Sequence, residues 1–206
     1  MLRSPSYWPI ALYDRGYRLC RRLDTPSSEA GSTLRIEFRR AHRPIRLGDG
    51  TTIAPGDRIG VLHLNNDRVR ALHVNGVSPM TVGVDFRREL IASLRTLAVL
   101  ASPGGRAADA VAFAATTIFH HGLPRLGFDR DALPPACMYL TTAYQRALLA
   151  VLHPAGAHRL LRLANTRTER LWLSRARLVA LYGAPEHASR DSKLDGHIAR
   201  MVRSVR

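Results

Sequence analysis

A chain of 206 residues, 46% of them hydrophobic, is long enough for one packed domain and too apolar for a disordered polymer. No apolar run approaches the roughly 18 residues needed to cross a bilayer. Thirty-one basic against sixteen acidic side chains give a net charge of +15, which attracts polyanions and anionic surfaces.

The stretch from Met1 to Tyr13 carries Arg3, Pro5 and Pro9 in place of the apolar core and cleavage site of a secretory signal. The expected compartment is the cytoplasm, with the membrane surface as a peripheral alternative. From Tyr7 to Arg22, the residues Ile10, Tyr13, Tyr17 and Cys20 recur at helical spacing, with Arg15, Arg18, Arg21 and Arg22 mostly elsewhere on the wheel. This predicts an amphipathic helix whose stripe packs on the domain; the competing fate is a membrane surface. Asp24 to Ser32 reads as a loop.

A β-rich block follows. Leu34, Ile36 and Phe38 alternate with Arg35, Glu37 and Arg39, the mark of a half-buried strand. Ile45 and Leu47 lead into Gly48-Asp49-Gly50 and then Thr51 to Ile53, which predicts a tight hairpin. Pro55-Gly56-Asp57 is a second turn. Ile59 to Leu64 is the most apolar strand of this half.

Helical patterning then takes over. Asn66 or Asp67 is placed to cap a short helix through His73. Phe86, Leu90, Leu94 and Leu97 form the stripe of a helix over 84–100, closed by Pro103-Gly104-Gly105. Residues 107–119 fit either helix or strand; a strand is favoured because it returns the chain to the sheet. A short strand is expected near Phe128. Met138 to Leu152 reads as a helix with Leu140, Tyr144, Leu148 and Leu152 on one face. Glu169 to Leu173 is a last strand, and Ser174 caps a helix carrying Leu178, Leu181 and Tyr182. Residues 184–206 form a basic tail, expected to be weakly ordered. The fold class is α+β: an N-terminal amphipathic helix, a small β-rich block with its hairpin, then helices packed on one sheet.

Chemical signatures are sparse. The chain has no GxGxxG after a strand, no GxxxxGK[ST], no GxSxG and no HExxH. No cofactor and no metal site is expected, and catalytic residues are not identified. Cys20 and Cys137 read as small buried hydrophobes rather than a disulfide or nucleophile. The sharpest polar cluster is His63, Asn65, Asn66 and Asp67, leaving the end of the apolar strand. A rigid sheet can position such residues for a ligand, and His63 can act as acid or base near neutral pH. The plainer account makes the Asn and Asp residues a turn and cap. His120 and His121 lack a carboxylate at ligand spacing in sequence. Two basic runs, Arg39, Arg40 and Arg43, then Arg159, Arg162, Arg167 and Arg170, would form an anion-binding face if they meet.

Six stretches carry a resemblance: LYDRGYRLCRRL (12–23), LRIEFRRAHRPIRLGDGTTIAPGDRIGVLHLNNDRV (34–69), FRRELIASLRTLA (86–98), GLPRLGF (122–128), YQRALLAVLHP (144–154) and ERLWLSRARLVALYG (169–183). Through them the chain resembles the YkoP-like domain, found in bacteria as a stand-alone protein and as an appendage of polysaccharide deacetylases. The resemblance implies a single domain over residues 1–183 and brings no activity with it. It implies an accessory or ligand-binding role near cell-envelope polysaccharide or glycolipid metabolism. The expected partners are an envelope polysaccharide enzyme or an acidic protein. Polyanions, an anionic membrane or nucleic acid are alternatives through the Arg runs, and an enzyme using His63 is a third reading.

Overall fold

The computed structural model describes residues 12, 15–16, 19–21, 23, 25–71, 79–131, 135–152 and 167–183. Its strands are β1 (Glu29–Ala30), β2 (Leu34–Arg40), β3 (Ile45–Arg46), β4 (Thr52–Ile53), β5 (Arg58–Leu64), β6 (Ala112–Thr117), β7 (Asp129–Asp131) and β8 (Glu169–Ser174). Its helices are α1 (Asn66–Ala71), α2 (Pro79–Ala101), α3 (Pro135–Leu152) and α4 (Arg175–Tyr182), with a 3-10 turn over His120–Leu126. The fold is α+β, as the patterning predicts.

Six strands form one sheet in the order β1-β2-β5-β6-β8-β7, and β3 and β4 pair separately as the hairpin. Every pairing in the large sheet is antiparallel except β5 with β6, where Ile59 meets Ala112 and Leu62 meets Ala115. Parallel neighbours cannot be joined by a tight turn. The chain between them therefore crosses over through α1 and α2. This places β6 at the centre of the sheet, so strands and helices interleave more than a strands-first order implies.

Strand alternation gives the sheet two unlike faces. On one, Leu34, Ile36, Leu62, Phe113, Leu171 and Leu173 pack against Leu90, Leu94, Leu97, Ala98 and Ala101 of α2 and Leu178 of α4. Leu94 and Leu97 are fully buried. Each contributes about 1.5–3 kcal/mol relative to exposure. On the other face Ile59, Ala112, Ala114 and Trp172 are covered by Ala41, Leu47 and Ile53 from the hairpin region. The hairpin turns at Gly50, whose φ of 86° suits glycine. Polar contacts pin it across the sheet. The Gly48 N–H donates to Asp129 Oδ2 at 2.9 Å, Ser174 Oγ donates to Asp49, and Arg43 reaches Asp131.

Local chemistry sets the element ends. Ser174 Oγ accepts from the Arg177 N–H at 2.9 Å, the cap that its position predicts. The short helix α1 begins at Asn66, so the residue before it, Asn65, stands at the cap position, its Oδ1 facing the Arg68 N–H at 3.5 Å. Residues 112–117 are strand, as favoured, and the strand near Phe128 occupies Asp129–Asp131. Gln145 ties α3 to the end of β6, accepting from the Ile118 N–H and donating to the Thr116 carbonyl.

Three expectations about burial fail. Leu140 is 75% exposed, because the described part of α3 turns Tyr139 and Leu140 outward. Leu181 is exposed, while Leu178, three residues earlier on α4, carries that helix into the core. Cys20 is exposed rather than buried. The Cys137 side chain, Ile10, Tyr13, Tyr17 and the tail from 184 lie outside the described residues.

Gly60 sits where β5 meets β6. A Cβ there would stand 2.5 Å from the Phe113 ring and 3.2 Å from the Ile36 side chain. Phe113 is fully buried, so its ring has little room to yield. Gly60→Ala is expected to lower unfolding stability by about 1–3 kcal/mol through overpacking. Adding Phe113→Leu should recover part of that loss. Denaturant titration of the single and double variants measures both, and a neutral Gly60→Ala would show that the seam is looser than this geometry.

Candidate functional site

The second face of the sheet changes character along β2 and β5. Ile59 belongs to the apolar patch under the hairpin. Two and four residues on, at Val61 and His63, that patch has ended. Opposite them in register lie Glu37 and Arg35. Alternation puts Arg35, Glu37 and Arg39 of β2 on the same side as His63.

Glu37 is the hub. Its carboxylate accepts a two-pronged contact from Arg39, Nε to Oε1 at 2.7 Å and Nη2 to Oε2 at 2.8 Å. Its Oε2 stands 3.2 Å from His63 Nε2, and its Oε1 accepts from Arg21 Nη1 at 3.3 Å. Arg35 Nη1 donates to the Leu23 carbonyl. The Glu37 and His63 side chains are only 12% and 19% exposed.

Burial raises the Glu37 carboxyl, but the Arg39 contact, then His63 and Arg21, outweigh it and hold it below the usual carboxylate value. For His63 burial is the largest influence and lowers its pKa; the Glu37 charge opposes this, and Arg39 and Arg21 add to the lowering. At neutral pH the pair is an ionised carboxylate beside a neutral imidazole. The carboxylate favours the tautomer with a proton on Nε2. Such a pair can accept hydrogen bonds from a ligand's hydroxyls, and its imidazole can take up a proton.

The other members of the predicted cluster do not join this face. Asn65 donates through Nδ2 to the Ser32 carbonyl at 3.2 Å, while its own N–H donates to the Thr33 carbonyl at 2.8 Å. Asn66 and Asp67 open α1, where the Asp67 charge complements the helix dipole. The structure thus separates His63 from the turn-and-cap trio.

The arginines of the first run are engaged within the fold. Arg39 holds Glu37, Arg40 Nη1 donates to the Gly56 carbonyl at 2.9 Å, and Arg43 Nη2 donates to Asp131 Oδ2 at 2.5 Å. Arg167 is exposed, and Arg170 lies in β8 opposite Asp131. Arg159 and Arg162 lie outside the described residues. The register thus sets Arg170, from the second run, across from the residue whose carboxylate holds Arg43. Trp172 Nε1 also donates to that carboxylate, at 3.2 Å.

A second polar cluster has the carboxylate that sequence spacing did not provide. His120, 4% exposed, places Nε2 3.4 Å from Glu169 Oε1. Its ring lies 4.2 Å from that of His121 at a tilt of 47°. Arg130 Nε stands 3.4 Å from Glu169 Oε2. Burial first, then His121 and Arg130, lower the His120 pKa against the pull of Glu169. Among the described residues, no group of three or more His, Cys, Asp or Glu side chains is placed to hold a metal ion.

Both imidazoles are buried neutral, so their folded pKa values lie below the unfolded ones. As pH falls through about 6.5, the unfolded chain takes up these protons first. Stability is therefore fully present above that pH and declines below it. His63→Gln and His120→Gln should each flatten the decline between about pH 6.5 and 5. Urea unfolding at stepped pH reads the slope, and slopes equal to that of the parent protein would exclude neutral burial of these rings.

Neither the curated proteins nor the solved structures contain a match to the chain. The family model described as the YkoP domain matches residues 6–182. That span takes in the hairpin, all strands of the large sheet, the Glu37–His63 pair and α4. The chain belongs to the YkoP domain family.

Proposed function

We propose that this protein is an accessory binding module that takes a hydroxyl-rich envelope saccharide or glycolipid headgroup on the Glu37–His63 half of its sheet. One observation carries the reading. An ionised carboxylate and a neutral imidazole lie 3.2 Å apart and largely buried, on the part of the face beyond the hairpin's apolar patch. Guanidinium, carboxylate and imidazole together match the donors and acceptors of sugar hydroxyls. The saccharide class comes from the kinship with domains appended to polysaccharide deacetylases. We place the protein in the cytoplasm, working beside an envelope polysaccharide enzyme.

A second reading makes His63 a general base oriented by Glu37, and the same contact favours it. The bidentate Arg39 contact speaks for binding, since it keeps Glu37 ionised and lowers its basicity. A nucleic-acid role draws less support. Base stacking needs exposed aromatics among the cations, and Trp172 is 2% exposed.

The test is calorimetric titration with soluble N-acetylglucosamine oligomers and with a nucleotide-sugar precursor. Saturable binding is expected. His63→Gln and Glu37→Gln should weaken it by about tenfold or more, equivalent to about 1.4 kcal/mol. Arg167→Ala serves as the exposed control and should leave it unchanged. Absence of binding to every saccharide would overturn the proposal. Turnover of a saccharide that depends on His63 would replace it with the enzymatic reading.

A further inference from the structure

The N-terminal segment presents a face that the sheet does not use. Residues 12, 15, 16, 19 and 20 are helical. Leu12 is 72% exposed and Leu19 62% exposed. At about 100° per residue, positions seven apart share one side of a helix. Arg15, also exposed, is three residues from Leu12 and four from Leu19, so it neighbours both.

Arg21, in the turn that follows these helical residues, ties the segment to the domain. Its guanidinium lies 3.3 Å from Glu37 on the sheet. The two leucines stand exposed on the stretch before that tie. Cys20, next to Leu19, is exposed too.

We infer that the face carrying Leu12, Arg15 and Leu19 docks on an anionic lipid bilayer. The leucines enter the boundary between headgroups and acyl chains, and Arg15 meets headgroup phosphate. Two leucines and a cation on one helix face call for a surface that is both apolar and negative. A bilayer supplies both without needing a shaped groove. A nucleic acid supplies the charge and nothing for the leucines. The +15 net charge draws the whole protein toward the same surface. Among the described residues no helix is long and apolar enough to cross the membrane. The docking we infer is of a helix lying along the surface. This inference stands apart from the saccharide reading, since it uses neither His63 nor any ligand on the sheet.

The experiment is co-sedimentation of the full chain with two kinds of vesicle. One is phosphatidylcholine alone; the other is an equal mixture of phosphatidylcholine and phosphatidylglycerol. Binding to the mixed vesicles only is expected. The double variant Leu12→Ser, Leu19→Ser should bind them about tenfold more weakly, because apolar insertion adds to the electrostatic attraction. Its melting temperature should stay that of the parent protein, as both side chains are exposed. An environment-sensitive dye on Cys20, in a Cys137→Ser background, should shift to the blue when mixed vesicles are added. Arg15→Glu should weaken binding without touching either leucine. A double variant that binds like the parent protein would overturn the inference, leaving charge alone. So would a parent protein that ignores the mixed vesicles, or a dye that reports no change of environment.

Discussion

The parallel pairing of β5 with β6 is the contact on which the rest of the molecule rests. It joins two antiparallel blocks, β1-β2-β5 and β6-β8-β7, into one sheet. Because parallel strands demand a crossover, it also requires the long connection that α2 provides. The leucines of α2 then cover one face of the seam they helped to create. On the other face, the hairpin lies over Ile59, Ala112, Ala114 and Trp172. The sheet thus has a broad helical cover on one side and a small clasp on the other. The charged patch of Arg35, Glu37, Arg39 and His63 lies where the clasp runs out.

Charge imbalance shapes how that patch is built. Sixteen acidic residues face thirty-one basic ones, and several of the described carboxylates serve more than one partner. Glu37 serves Arg39, Arg21 and His63. Asp131 serves Arg43 and the Trp172 indole. Glu89 holds Arg68 through both oxygens and also meets Ser32. Glu169 stands between His120 and Arg130. Removing such a hub leaves cations facing one another, so its loss costs more than one ion pair. Exposed pairs such as Arg68 with Glu89 are worth about 0–1 kcal/mol. The half-buried Glu37 group is screened less.

Features that depend on neighbours in the chain could be read from the residues. The alternation in Leu34–Phe38, the Asp-Gly turn, the α2 leucines and the Ser174 cap are all local, and each stands where its pattern puts it. Pairings between distant segments could not be read. Glu37 was visible only as the polar half of a strand, since nothing local says that β5 brings His63 beside it. Glu169 lies 49 residues from His120, and only the β6–β8 register makes them neighbours. The outward leucines of the N-terminal segment were hidden by a competing stripe of Ile10, Tyr13 and Tyr17. Periodicity marks several faces on one helix and does not say which of them stays exposed. The cap position of α1 falls on Asn65 because the helix begins one residue earlier than the pattern suggested, directly after β5.

The hairpin clasp has a consequence for how the protein is made. Asp49 is held by Ser174, which follows it by 125 residues, and Gly48 is held by Asp129. During translation the hairpin emerges long before β8 exists. Leu47 and Ile53 then have only Ile59 of β5 to cover, since Ala112, Ala114 and Trp172 come later in the chain. Contacts between such distant segments form late and slowly. Most of the chain must leave the ribosome before the second core can close, so the clasp is among the last parts of the fold to be completed.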